Sequence, residues 1–128
     1  MKKLLFSAVM ALVLGSFISC ARVSVGQEPK LDEENSTLDG KRYDNTEPRC
    51  WKFTWEYTEK TTGEPDEHDS GVNYMWTTEL MAQYEKAVWM YSHNVSASAY
   101  GYGTSISGKC TLEEAKDKDV HSCYSDED

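Results

Sequence analysis

With 128 residues and 22 acidic side chains against 13 basic ones, the chain is short and carries a formal net charge of −9. That length holds one small domain at most. A surface this negative repels phosphate backbones, so nucleic acid is excluded as a partner class, and the charge is read first as a device for solubility.

At the amino end, Lys2 and Lys3 precede an apolar run from Leu4 to Leu14, which is broken by Gly15 and Ser16 and closed by Phe17-Ile18-Ser19-Cys20. The run is too short to span a bilayer comfortably and leads into polar sequence, so residues 1–19 are expected to be a removed signal peptide. A small residue directly before a cysteine resembles the bacterial lipobox, in which Cys20 is lipidated and becomes the mature amino terminus. Phe17 stands where such motifs usually carry Leu. Ser19-Cys20-Ala21 also fits the small-x-small pattern of ordinary signal peptidase, which would give plain secretion instead. Several fatty-acyl chains of the palmitate type on one residue would anchor firmly, whereas a single chain binds membranes weakly. Loss of Lys2 and Lys3 makes the mature chain still more acidic.

Residues 20–48 read as a flexible tether. Val23, Val25, Leu31 and Leu38 are scattered among polar and acidic residues, too little apolar surface to offset chain entropy. The globular domain is expected over 49–108. From Cys50 to Thr58 the sequence alternates strictly, with Trp51, Phe53, Trp55 and Tyr57 on one face and Cys50, Lys52, Thr54 and Glu56 on the other. Glu59 to Ser70 has loop chemistry. Alternation resumes from Gly71 to Trp76, with Val72, Tyr74 and Trp76 on a shared face. These two runs are expected to pair as an antiparallel hairpin, and the loop, longer than a tight turn, leaves its register open.

A helix follows. Thr77 or Thr78 can cap it, Glu79 suits its positive end, and Leu80, Met81, Tyr84, Ala87, Val88 and Tyr91 mark a buried stripe. A third strand is predicted from Val95 to about Thr104, with Gly101 and Gly103 weakening the pattern. The resulting fold class is α+β: a small antiparallel three-stranded sheet, order second-first-third, with one main helix on one face (β-β-α-β). Thr111 and Glu114 form a capping-box pattern, so residues 109–128 are expected to hold a short helix over 112–118 and an acidic tail.

Beyond Cys20, three cysteines remain, an odd number for an oxidising compartment. Each of three single bridges leaves one thiol. Cys110–Cys123 is the favoured pair because it would pin the carboxy-terminal turn to itself, while Cys50 competes for either partner.

Catalytic and metal patterns are thin. His121, Cys123 and Cys110 match no zinc spacing, so a disulfide beside an incidental histidine is the preferred account. Glu64, Asp66, Glu67, His68 and Asp69 lack the alternation of a calcium loop. Nothing places Cys50 beside His93 as a nucleophile pair, and no phosphate loop occurs. No catalytic residue, metal or cofactor is therefore assigned. Most aromatics are accounted for as core beneath the helix. Trp89 falls beside the helix's main stripe, and Tyr100 and Tyr102 fall outside the core pattern, so these three are the candidate binding residues.

The plan of signal, Cys20, polar stretch, "CWKFTWEY", "NYMWTTEL" and a cysteine-containing tail resembles that of small, functionally uncharacterised bacterial exported lipoproteins. The resemblance implies lipid anchoring in the cell envelope and carries over no catalytic residue. The expected function is a non-catalytic binding or interaction module for a protein or glycan ligand. An inhibitor or immunity protein against a co-exported protease or toxin is the alternative.

Overall fold

The computed structural model describes residues 22–25 and 27–125, so the segment expected to be a signal peptide and Cys20 lie outside the described residues. The elements are β1 (Arg22–Val25), β2 (Leu31–Asp32), β3 (Thr37–Leu38), β4 (Lys41–Arg42), β5 (Arg49–Thr61), β6 (Glu67–Thr77), α1 (Glu79–Ser92), β7 (Asn94–Ala99), β8 (Tyr102–Glu114) and α2 (Val120–Ser125). A five-stranded antiparallel sheet runs in the order β1-β7-β8-β5-β6, and β2-β3-β4 form a second, three-stranded sheet.

This architecture is mostly β and overturns the three-stranded α+β expectation. The reason lies at Tyr100 and Gly101. Both take left-handed backbone angles, φ 53° and 81°, and Ala99 pairs directly with Tyr102. Two residues of positive φ between paired strands make a type I′ hairpin. The predicted strand over 95–104 is thus two strands, and β8 continues through the segment assigned to loop and helix. Thr111 and Glu114 do not cap a helix; they pair with Thr54 and Trp51 of β5. The neighbour of β5 on its second side is therefore β8, while β7 lies one place further out. The short helix sits instead at Val120–Ser125. Asp119 Oδ1 accepts from Ser122 N at 2.8 Å, and Asp119 N donates to Ser122 Oγ at 3.0 Å. These reciprocal bonds satisfy the free amides at the helix start.

The β5–β6 hairpin forms with a longer β5 and β6 than expected, and its register sets the second run apart from the aromatic row. Trp51 pairs with Met75, Phe53 with Asn73 and Trp55 with Gly71. Paired residues share a face, so Val72, Tyr74 and Trp76 lie on the side of Cys50, Lys52 and Thr54, opposite the aromatic row. Gly71 is required beneath Trp55: a Cβ there would stand 2.5 Å from Trp55 Cζ2. Phe53, Trp55 and Tyr57, together with Val95 and Ile106, form the buried core cluster on that face.

Helix α1 is capped by Thr78, whose Oγ1 accepts from Met81 N at 3.4 Å and donates to Asn45 Oδ1 at 2.9 Å. It packs chiefly across β8, with β7, β5 and β6 also in contact. Leu80 and Ala82 are its fully buried residues, and Trp89 rather than Tyr84 or Tyr91 meets the core cluster.

The described part of the segment predicted as a flexible tether, residues 22–25 and 27–48, is also folded. β1 pairs with β7 from Arg22↔Ser98 to Val25↔Val95. Asp39 and Gly40, both at positive φ, turn β3 into β4, and Leu38 beside them is buried. β3 packs on α1. Beyond β4, Asp44 O accepts from Leu80 N at 2.9 Å, and Arg49 forks between Asp44 at 2.8 Å and Glu114 at 2.7 Å. The Thr46 hydroxyl and then Arg49 hold the Asp44 carboxyl down to about 2. A charge-assisted clasp thus fastens the amino-terminal segment to the ends of two strands and one helix.

Candidate binding surfaces

Tyr100 and Tyr102 come together at the tip of the β7–β8 hairpin, 85% and 73% exposed. The tip is held at its base. Thr62 N donates to Gly103 O at 2.9 Å, and Gly103 N donates to Thr62 Oγ1 at 3.0 Å. The acidic β5–β6 turn, with Glu64 and Asp66, therefore lies at the same end of the sheet as the two tyrosines.

Trp89 is not part of that surface. Its ring stands edge-on to Phe53, with centroids 5.9 Å apart at 75°, and meets Trp55 at 6.2 Å and 43°. It overlies Gly108, where a Cβ would come within 2.8 Å of the indole. At strand spacing, Gly108 is about 20 Å along β8 from Tyr102. The sequence pattern placed Trp89 beside the buried stripe because it assigned the stripe to Leu80, Tyr84 and Tyr91.

Sequence reasoning missed the cleft that Trp89 helps to line. Because α1 lies chiefly over β8, a cavity of about 370 Å³ is left between the helix and the β5–β6 hairpin. Phe53, Trp55, Tyr57 and Trp89 supply its rings, and Asn73, Glu85, Ser92 and His93 its polar groups. Trp55 Nε1 donates to Asn73 Oδ1 at 2.8 Å, which fixes that indole. His93 Nδ1 lies 2.8 Å from Trp89 O; a carbonyl only accepts, so Nδ1 carries the proton. Burial pushes the His93 pKa down, partly offset by this hydrogen bond. The aromatic alternation in "CWKFTWEY" was the legible half of this site. The helix's rotation was the illegible half.

The disulfide joins Cys50 to Cys123, and Cys110 is the free cysteine among the described residues. This corrects the expected Cys110–Cys123 pair. Cys110 is opposite Trp55, on the aromatic face, whereas Cys50 projects from the other face, where α2 contacts β5 and β6. The sheet itself separates Cys110 from Cys123. Burial raises the Cys110 thiol above its usual value, and Lys86 partly counters it. Among the described residues, no three His, Cys, Asp or Glu side chains converge to hold a metal ion.

No protein-family model matches this chain, and neither a curated protein nor a solved structure matches it.

Proposed function

We propose that the chain is an exported, lipid-anchored, non-catalytic interaction module of the cell envelope. It meets a protein or glycan partner through the Tyr100–Tyr102 hairpin tip. One observation carries the reading: Tyr100, a bulky residue, occupies a left-handed position at φ 53° while remaining 85% exposed. Asn or Gly makes such a turn at lower conformational cost, and folding gains nothing from a large ring in solvent. Strain retained at an exposed aromatic supports a contact made with something else. The Cys50–Cys123 bridge is compatible with an oxidising compartment outside the cytoplasm.

The inhibitor reading draws support from the same hairpin. A narrow tip, pinned at its base by Thr62 and Gly103, has the form of a loop that enters a partner's groove.

Pull-down from envelope extracts with the mature chain and with the Tyr100→Ala/Tyr102→Ala variant tests the surface. The variant is expected to lose its partner while melting at an unchanged or higher temperature. Unfolding of the variant would make the tyrosines structural and remove the proposed surface. If the captured partner is a protease or toxin that the wild-type chain blocks, inhibition is the better description. Mass spectrometry of the mature amino terminus tests the anchor, since an unmodified start at Arg22 contradicts lipidation.

A further inference from the structure

We propose that the cleft between α1 and the β5–β6 hairpin binds a small organic cation of the alkylammonium class. The walls have the composition that such ions select. Trp55 and Trp89 meet at 43°, and Tyr57 lies nearly parallel to Trp55, at 5.9 Å and 15°. Ring faces carry the negative part of an aromatic quadrupole, so a cation placed over such a face is attracted electrostatically. The one carboxylate lining the cleft is Glu85, and no Lys or Arg lines it among the described residues. A cation is therefore favoured by rings and carboxylate together, an anion is repelled, and a neutral ring gains dispersion alone.

The two indoles are set before any ligand arrives. Trp55 rests over Gly71 and is tied to Asn73, while Trp89 rests over Gly108 and stacks on His93. Preorganised walls lower the ordering cost of binding. A volume of about 370 Å³ falls in the range of small-molecule sites and exceeds the needs of a trimethylammonium head. The net charge of −9 raises the local concentration of cations at the surface.

The ammonium group could be presented by a free solute or by a choline lipid headgroup, and the test separates these sources. Choline chloride and its uncharged isostere 3,3-dimethylbutan-1-ol are titrated into the mature chain, followed by tryptophan fluorescence and calorimetry. Saturable choline binding is expected, with the isostere at least about tenfold weaker. Glu85→Gln, on an exposed side chain, is expected to weaken choline binding about tenfold without changing the melting temperature. Flotation with phosphatidylcholine vesicles reports a lipid source: vesicle binding lost in Glu85→Gln, with free choline competing, supports a headgroup. The proposal is overturned if neither choline nor the vesicles bind. Equal affinity for the isostere, or full affinity in Glu85→Gln, overturns it as well.

Discussion

Trp89, in the last turn of α1, stacks on His93, the residue that caps the helix's carboxy end, with ring centroids 4.1 Å apart and planes within 9° of parallel. The pair fits against the sheet only because residue 108 has no side chain. A Cβ there would stand 2.8 Å from the Trp89 ring and 2.9 Å from His93 Cβ. Since Gly108 itself is not at positive φ, the constraint is one of space.

Gly108→Ala is accordingly expected to push α1 off β8 or to turn Trp89 out of its place. Overpacking of this kind costs about 1–3 kcal/mol. Urea denaturation followed by tryptophan fluorescence measures the loss. A near-ultraviolet dichroism spectrum should change with it, because two indoles and an imidazole lose their fixed geometry. Wild-type stability in this variant would show that the helix is less closely seated than its rings imply.

Cys123→Ala removes a bridge between positions 73 residues apart. Loop-closure entropy for a ring of that size corresponds to about 4 kcal/mol, and losses of about 2–5 kcal/mol are usual when a small domain loses a native bridge. Denaturation of the variant should show a loss in that range, with proteolytic nicking concentrated near Val120–Ser125. Cys110→Ala should cost about 1 kcal/mol or less, since it leaves the bridge intact and trims only a small half-buried group. The reverse ranking would restore Cys110 as the structural partner.

Glu59 faces Glu67 directly across the β5–β6 ladder. Burial first, then Glu67 and Glu64, raise its carboxyl pKa above the usual 4.5. The folded chain therefore binds this proton more tightly than the unfolded chain does. Stability contributed by the protonated group is present below the unfolded value and is lost as pH rises through the raised one. Glu59→Gln should thus stabilise the protein at pH 7 by about 0.5 kcal/mol, the scale of an opposed like-charge pair. The gain should vanish in melts at pH 3, where the wild-type carboxyl is protonated in both states. A gain that persisted there would point to a cause other than charge.

The sequence showed some of this structure and hid the rest for identifiable reasons. Strict alternation from Cys50 to Thr58 placed β5, because a row of rings on one side of an extended chain has few other uses. Thr78 and Glu79 marked the start of α1 through their capping chemistry. Register was not legible, since the turn after Thr61 is longer than a tight hairpin and leaves open which face of β6 meets the rings. Gly71 was the available clue: a strand residue without a side chain makes room for something, and here that is Trp55. Asp39-Gly40 was a hairpin signal overlooked because its flanking strands are two residues each. Tyr100-Gly101 was harder, because a tyrosine is not a residue that announces φ above zero. The same local exception divided the predicted third strand and marks the proposed contact surface.

That exception yields a prediction in which stability and binding move in opposite directions. At φ 53° a side chain bearing a Cβ costs roughly 1–2 kcal/mol, and Asn recovers part of this by bonding locally to its own backbone. Tyr100→Asn would place Asn-Gly, the preferred type I′ pair, at the tip. It removes a ring that is 85% exposed, so almost no buried area is lost. The variant should therefore be more stable than the wild type by about 0.5–1 kcal/mol in urea titrations, while partner capture falls. A structural tyrosine predicts the opposite sign for stability, and an ornamental one predicts unchanged capture. Measuring both quantities on one variant separates a strained recognition residue from either.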